Sequence, residues 1–123
     1  MMVIRVMFMA TLLSIAGAAA ADETSSGTAE LQKCKICHSL EKGAPNRVGP
    51  NLFGVYGRKA GMAPGYNYSE ALKRSGIVWN DASLSAFLRD PQGEIPGSHM
   101  SFPGIKDDDE RAGLLQELKQ ATQ

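Results

Sequence analysis

The residues best equipped for chemistry lie in two short stretches. In CKICH, residues 34–38, two thiols stand three positions apart and an imidazole follows the second directly. In EIPGSHMSFPGI, residues 94–105, His99 and Met100 are neighbours between two prolines. Thiolate, imidazole and thioether all bind transition metals, and they differ in softness. Adjacent side chains on a loop generally point different ways, so only one of His99 and Met100 is expected to act with His38.

C-x-x-C-H is the attachment pattern of a c-type haem: two thiols placed to reach the two vinyl groups and an imidazole to bind the iron from one face. Three other readings explain less. A structural zinc site needs four ligands in clustered pairs, and here the fourth would have to come from distant His99. A thioredoxin-like thiol pair needs a βαβ context, which the pattern of apolar residues does not provide. A disulfide closing so short a loop would constrain the unfolded chain little and leaves the following histidine unexplained. With His38 on one face of the iron, the opposite ligand sets the chemistry. A second imidazole favours ferric iron relative to a thioether, a thioether favours ferrous iron, and an open position would admit peroxide or small gases. Pro96 and Pro103 fix backbone angles around Met100, a loop able to hold a ligand, but position alone does not choose between His99 and Met100.

The elements that must position these groups are short. Residues 1–21 have one early base (Arg5), an apolar run and an alanine-rich end, the order of a secretory signal. Cleavage is expected near Ala21, leaving residues 22–123 as a single domain in an oxidising compartment. The fraction of surface a domain buries falls as the domain shrinks, so a large apolar cofactor would supplement its small core. A short helix is expected over Thr28–Cys37 with Thr28 as N-cap, another over Ser69–Ser75, and a third from Asn80 or Asp81 to Asp90, stopped by Pro91. The last helix opens on the acids Asp107–Glu110, which suit its dipole, and carries the stripe Leu114, Leu115 and Leu118. Residues 43–68 are too rich in glycine and proline for regular structure, and so long a loop in a compact domain is expected to wrap something. Charge balances overall, but residues 31–74 hold eight lysines and arginines against two acids, and residues 81–117 hold eight acids against three bases. Such a dipolar surface could orient a partner.

From Cys34 onward the chain resembles the soluble class I cytochromes c, in the stretches CKICHSLEKG, VGPNLFGVYGRKAG, PGYNYSEAL, GIVW, FLRDP, IPGSHMSFPGI and ERAGLL. The resemblance implies an all-α fold in which short helices and Gly/Pro-rich loops wrap one haem c, bound covalently through Cys34 and Cys37. It implies His38 and Met100 as iron ligands, a Pro50 carbonyl that orients His38, and Arg58, Tyr68 and Trp79 around the haem propionates. The expected function is that of an exported, periplasmic one-electron carrier, not an enzyme. Its partners would be redox proteins (a membrane cytochrome complex, an oxidase, a reaction centre or a periplasmic dehydrogenase), met as a monomer in transient complexes, with no nucleic acid and no stable membrane insertion. A dedicated haem subunit of a dehydrogenase, and a peroxidase or gas-binding protein, are the alternatives.

The departures from the family carry their own expectations. Ser26, Glu30 and Glu117 stand where the crossing of the terminal helices usually has a glycine and aromatic residues. Either Leu31 takes over as anchor, or the first helix is loose or covered by a partner. Leu72 and Phe87 replace an asparagine and a tyrosine of a buried water network, which predicts a drier Met100 side. Lys33, Arg47 and Lys106 remain of a basic rim, while Gln92, Gly93, His99 and Asp107 replace lysines. Docking on an acidic partner should therefore be weaker and less salt-dependent than for a fully basic rim. His99 in particular puts a titratable imidazole where relatives often have a permanent charge.

Overall fold

The computed structural model describes residues 25–123, together with Gly17. The expected signal segment, Gly17 apart, and the side chains of Ser26 and Thr28 lie outside the described residues. The described part contains five helices: α1 (Ser25–Cys37), α2 (Glu70–Arg74), α3 (Asp81–Arg89), α4 (Pro91–Glu94) and α5 (Asp108–Ala121). The only strand-like pairing among these residues is an isolated bridge between Lys59 and Val78, so the fold is all-α. No helix of the described residues is long and apolar enough to cross a membrane.

Helix α5 is the best specified. The Asp107 carboxylate accepts from the backbone N–H groups of Asp109 and Glu110, both at 2.9 Å, so it satisfies donors that the first turn leaves without helical partners. Leu114, Leu115 and Leu118 are buried, Leu114 completely. Thr122 closes the helix by donating to the Leu118 carbonyl at 2.7 Å, and its own carbonyl accepts from Gly54 N–H at 2.7 Å. The run of acids is thus accounted for as the start of a helix.

Helix α1 begins three residues before the expected N-cap, and its apolar content is thin. It is held by its crossing with α5. Leu31 and Cys34, one turn apart on the same face, pack against the core cluster that includes Leu114 and Leu115. Leu31 therefore serves as the anchor of α1 on α5. Glu30, with a side chain only 12% exposed, bonds Lys33 at 2.6 Å, which lets an acid sit beside a contact that is usually apolar. Glu117 is half-buried on the α5 side.

Helix α3 starts at a reciprocal capping box, with Asn80 accepting from Ser83 N–H and Ser83 accepting from Asn80 N–H. It buries Leu84, Phe87 and Leu88, and the Phe87 ring lies 5.3 Å from that of Trp79. Pro91 does end α3, but it also begins α4, a single turn that the sequence did not announce. Proline lacks an N–H that the first helical position does not need, and Asp90 accepts from Gly93 N–H at 3.1 Å.

Arg111 ties these pieces together. It is buried, and its guanidinium donates to Ser85 Oγ at 2.8 Å, to the Ile105 carbonyl at 2.9 Å and to the Asp108 carboxylate at 2.6 Å. This joins α3, α5 and the end of the Met100 loop. We expect Arg111→Met to cost about 2–3 kcal/mol, because it leaves a buried carbonyl without a donor. Arg111→Lys should recover little of that, since one ammonium does not reproduce the planar fork. Chemical denaturation checks both variants, and an Arg111→Met protein as stable as wild type would refute this role.

Candidate haem site

Cys34 and Cys37 lie in the last turn of α1, at the i, i+3 spacing that puts both thiols on one face. The helix ends as His38 N–H donates to the Cys34 carbonyl at 2.9 Å. The segment 47–52 is then strapped across this end. Gly49 N–H donates to the Cys37 carbonyl at 2.8 Å, Leu52 N–H to the Ser39 carbonyl at 2.9 Å, and the Arg47 guanidinium to the Lys35 carbonyl at 2.6 Å. Local sequence explains why: a proline after a glycine holds extended backbone, which lays the segment flat against α1.

The strap fixes His38. Its Nδ1 lies 2.7 Å from the Pro50 carbonyl oxygen. A carbonyl only accepts, so Nδ1 carries the proton and Nε2 keeps its lone pair. Burial lowers the pKa of the ring, and Arg47 and Arg58 lower it further, against the opposing pull of the Pro50 carbonyl. The imidazole is therefore neutral, the form that binds a metal. Gly49 leaves the ring its space, since a Cβ there would fall 2.6 Å from Nδ1 and 2.8 Å from Nε2. Cys34 is raised to about 11, mainly by burial and then by Glu30. That is the opposite of the low thiol pKa a reactive redox pair needs.

Met100 arrives from the other side. It is half-buried against the same core cluster as Phe102, Leu72 and Phe87, whereas His99 is exposed. The structure thus separates the two neighbours, turning the thioether inward and the imidazole out. The loop is held by α4: the Gln92 amide Nε2 lies 2.7 Å from the Ser98 carbonyl, 3.3 Å from Ser98 Oγ and 3.3 Å from the Met100 carbonyl. Lys106 Nζ donates to the Arg89 carbonyl at 2.6 Å. At Gly104, with φ +102°, a Cβ would overlap the Arg89 carbonyl, so only glycine fits there.

In the sequence Gln92 stands out only as a lost lysine. Its role depends on the α4 turn, for which no local pattern spoke. Gln92→Ala should loosen residues 98–100 by about 1–2 kcal/mol through the lost bonds, seen as faster amide hydrogen exchange there. Gln92→Glu should be worse, because an ionised carboxylate offers only acceptors to oxygens that need a donor. Unchanged exchange in both variants would remove Gln92 from this role.

Of the remaining expected residues, Arg58 lines a cleft of about 340 Å3 together with Asn46, Asn51, Phe53 and Ala63, whereas Tyr68 and Trp79 do not line it. Arg58 Nη1 and Nη2 donate to the Phe53 and Asn51 carbonyls at 3.3 and 3.1 Å, leaving other guanidinium N–H groups available. The Tyr68 hydroxyl accepts from Ala63 N–H at 3.1 Å; burial raises its pKa, so it keeps a proton to donate. Trp79 is buried, and its backbone N–H donates to the Arg58 carbonyl at 2.9 Å. Asn46 and Asn51 hold the cleft walls: Asn46 Nδ2 donates to the Pro64 carbonyl and its Oδ1 accepts from Asn51 N–H, while Asn51 Nδ2 donates to the Glu41 and Ala44 carbonyls. Their position in a Gly/Pro-rich segment was the signal that could have found them, because asparagine side chains bond backbone in such turns.

These features suit a covalent haem. Two thiols lie on one face, a neutral imidazole offers Nε2, a thioether is turned inward, and donors gather at a cleft. They define a helical c-type haem protein. No protein-family model matches the chain. Among curated proteins it is 42% identical over 102 residues to cytochrome c2 of Blastochloris viridis, covering 83% of this chain and 80% of that one. It is 43% identical over 98 residues to a cytochrome c2 of Rhodoplanes tepidamans, covering 80% and 92%. It is 46% identical over 86 residues to cytochrome c-550 of Bradyrhizobium diazoefficiens, covering 70% of this chain and 63% of that protein. The chain belongs to the cytochrome c family. It carries haem c on Cys34 and Cys37 and is an electron-transfer protein, not an enzyme.

Proposed function

We propose that the protein is an exported one-electron carrier of the bacterial periplasm, with residues 1–21 as its signal peptide and residues 22–123 as the mature haem domain. His38 and Met100 would hold the haem iron, with Pro50 orienting His38, and Arg58, Tyr68 and Trp79 would serve the propionates. The haem supplies a single electron level whose potential the axial pair sets. The protein's own part is to hold both ligands in nearly one geometry for both oxidation states. The observation that carries this reading is the 2.7 Å bond from His38 Nδ1 to the Pro50 carbonyl, which orients a neutral imidazole as such outer bonds do in metal sites.

The apolar surroundings of Met100, with Leu72, Phe87 and Phe102 in contact with the same cluster, favour the soft thioether as ligand and disfavour an open iron. Packing of α1 on α5 within one chain supports a free carrier, serving a membrane cytochrome complex, an oxidase, a reaction centre or a dehydrogenase, over a permanently bound subunit. The test is a redox titration of the purified periplasmic protein combined with carbon monoxide addition. A reversible one-electron transition with no rapid carbon monoxide binding is expected; rapid binding at neutral pH would reject the carrier in favour of a gas-binding or peroxidase protein.

A further inference from the structure

Two neighbouring side chains can both bind iron, and the fold turns Met100 inward and His99 out. One amide holds the backbone on both sides of them. Gln92 Nε2 donates to the Ser98 carbonyl at 2.7 Å and to the Met100 carbonyl at 3.3 Å, with Ser98 Oγ also at 3.3 Å. An amide nitrogen carries two hydrogens, one for each of the carbonyls that bracket His99 and Met100. A rotation that brought the imidazole in and the thioether out would have to turn at least one of these carbonyls away from the amide.

The base of this clamp is firm. Pro91, the residue before Gln92, is among the most deeply buried of the described residues, and Ile95 is buried as well. Ile95 N–H donates to the Pro91 carbonyl at 3.0 Å, and its own carbonyl accepts from Ser98 N–H at 3.1 Å. Ser98 is itself buried. The single turn α4 thus presents Gln92 to the Met100 loop from a fixed position, and its donors add to a bond that already seats the loop's start.

We infer that Gln92 is the positioning residue that selects Met100 over His99 as the iron ligand, and that it thereby keeps the site closed to small nitrogen ligands. The inference rests on the axial pair given under the proposed function and adds the residue that decides between the neighbours. Without the clamp, an iron–sulfur bond would give way to an iron–nitrogen bond from the neutral His99 imidazole, with no electron or proton gained or lost. Imidazole is the harder of the two donors and favours ferric iron, so the oxidised protein is where the exchange shows.

The test uses the ferric holoprotein near neutral pH with imidazole as the added probe. Imidazole enters only when Met100 leaves, so the rate at saturating probe reports opening of the loop. Gln92→Ala is expected to raise that rate about tenfold, equivalent to about 1.4 kcal/mol and of the size of one or two lost hydrogen bonds. Before any probe is added, a fraction of Gln92→Ala should show the electron paramagnetic resonance of iron held by two imidazoles, with matching loss of the sulfur-to-iron charge-transfer band. Gln92→Ala/His99→Ala should lose that signal and keep the fast rate. Gln92→Glu keeps the shape but has no donor when ionised and should resemble Gln92→Ala, whereas Gln92→Lys supplies donors and should stay near wild type. Melting should differ little among the variants. A Gln92→Ala protein without the two-imidazole signal overturns the selection of Met100, whatever its imidazole rate. So does a signal that survives in the double variant, or Gln92→Glu behaving like wild type. A wild-type protein that lacks the charge-transfer band and already shows two imidazoles would instead sink the axial pair itself.

Discussion

Met100→Ala is expected to abolish the weak sulfur-to-iron charge-transfer absorption of the oxidised protein, to lower its midpoint potential and to open the ferrous iron to carbon monoxide. The direction follows from ligand chemistry. A neutral, soft thioether stabilises ferrous iron, and its replacement by water or by nothing removes that preference. The potential should fall by a sizeable share of the ~0.8 V range that axial ligation controls. Global folding should suffer less, because Met100 is only half-buried and the loop is held independently by Gln92 and Lys106. His99→Ala is the necessary companion. The imidazole is exposed, one residue away from an inward-facing thioether, so its removal should leave absorption and potential near wild type. Loss of the band in His99→Ala, with its retention in Met100→Ala, would exchange the roles of the two neighbours.

Gly49→Ala should do comparable damage from the other side of the iron. The added Cβ falls within 2.6 Å of His38 Nδ1 and 2.8 Å of Nε2, closer than real side chains approach. The ring has little freedom to yield, because Nδ1 is bonded to the Pro50 carbonyl and both bonds of the strap, from Gly49 and Leu52, hold the backbone in place. Overpacking of this kind costs about 1–3 kcal/mol, and each kcal/mol lowers the melting temperature of a domain this size by roughly 4–8 °C. The yield of haem-bearing protein and the environment of the His38 ring, followed by paramagnetic NMR, should change with it. Pro50→Ala separates sterics from hydrogen bonding. Its acceptor is a backbone carbonyl that any residue supplies, so the bond should persist and the effect should be small. A Gly49→Ala protein with wild-type melting and an unmoved imidazole would show that the ring is not confined as described.

The two variants probe features of very different visibility in the chain. CKICH announces its chemistry because attachment to one rigid cofactor demands two thiols and an imidazole at fixed local spacing, all within two helical turns. Helix α5 is equally visible, since its cap at Asp107 and its leucine stripe are satisfied within fourteen residues. Gly49 is less so. A glycine before a proline reads as a turn, and its steric reason, the His38 ring, lies eleven positions earlier. Helix α4 was invisible because proline signals an end and a beginning alike. In sequence alone Gln92 is therefore an absent charge; only the fold makes it a donor to the Met100 loop.

The anomaly at the helix crossing separates the two kinds of information most clearly. Glu30 and Glu117 looked like a defect in a contact that is usually apolar, and the residues alone left open an anchor at Leu31, a loose helix or a covering partner. In three dimensions Leu31 and Cys34 reach the core, and Lys33 meets Glu30. The haem chemistry, the all-helical class and the caps of α3 and α5 follow from residue types and short-range spacing, where each group's partner is a near neighbour. Which of His99 and Met100 turns inward and what clamps the loop follow from contacts between segments remote in sequence. No local pattern encodes those contacts, because they form only when the chain packs as a whole.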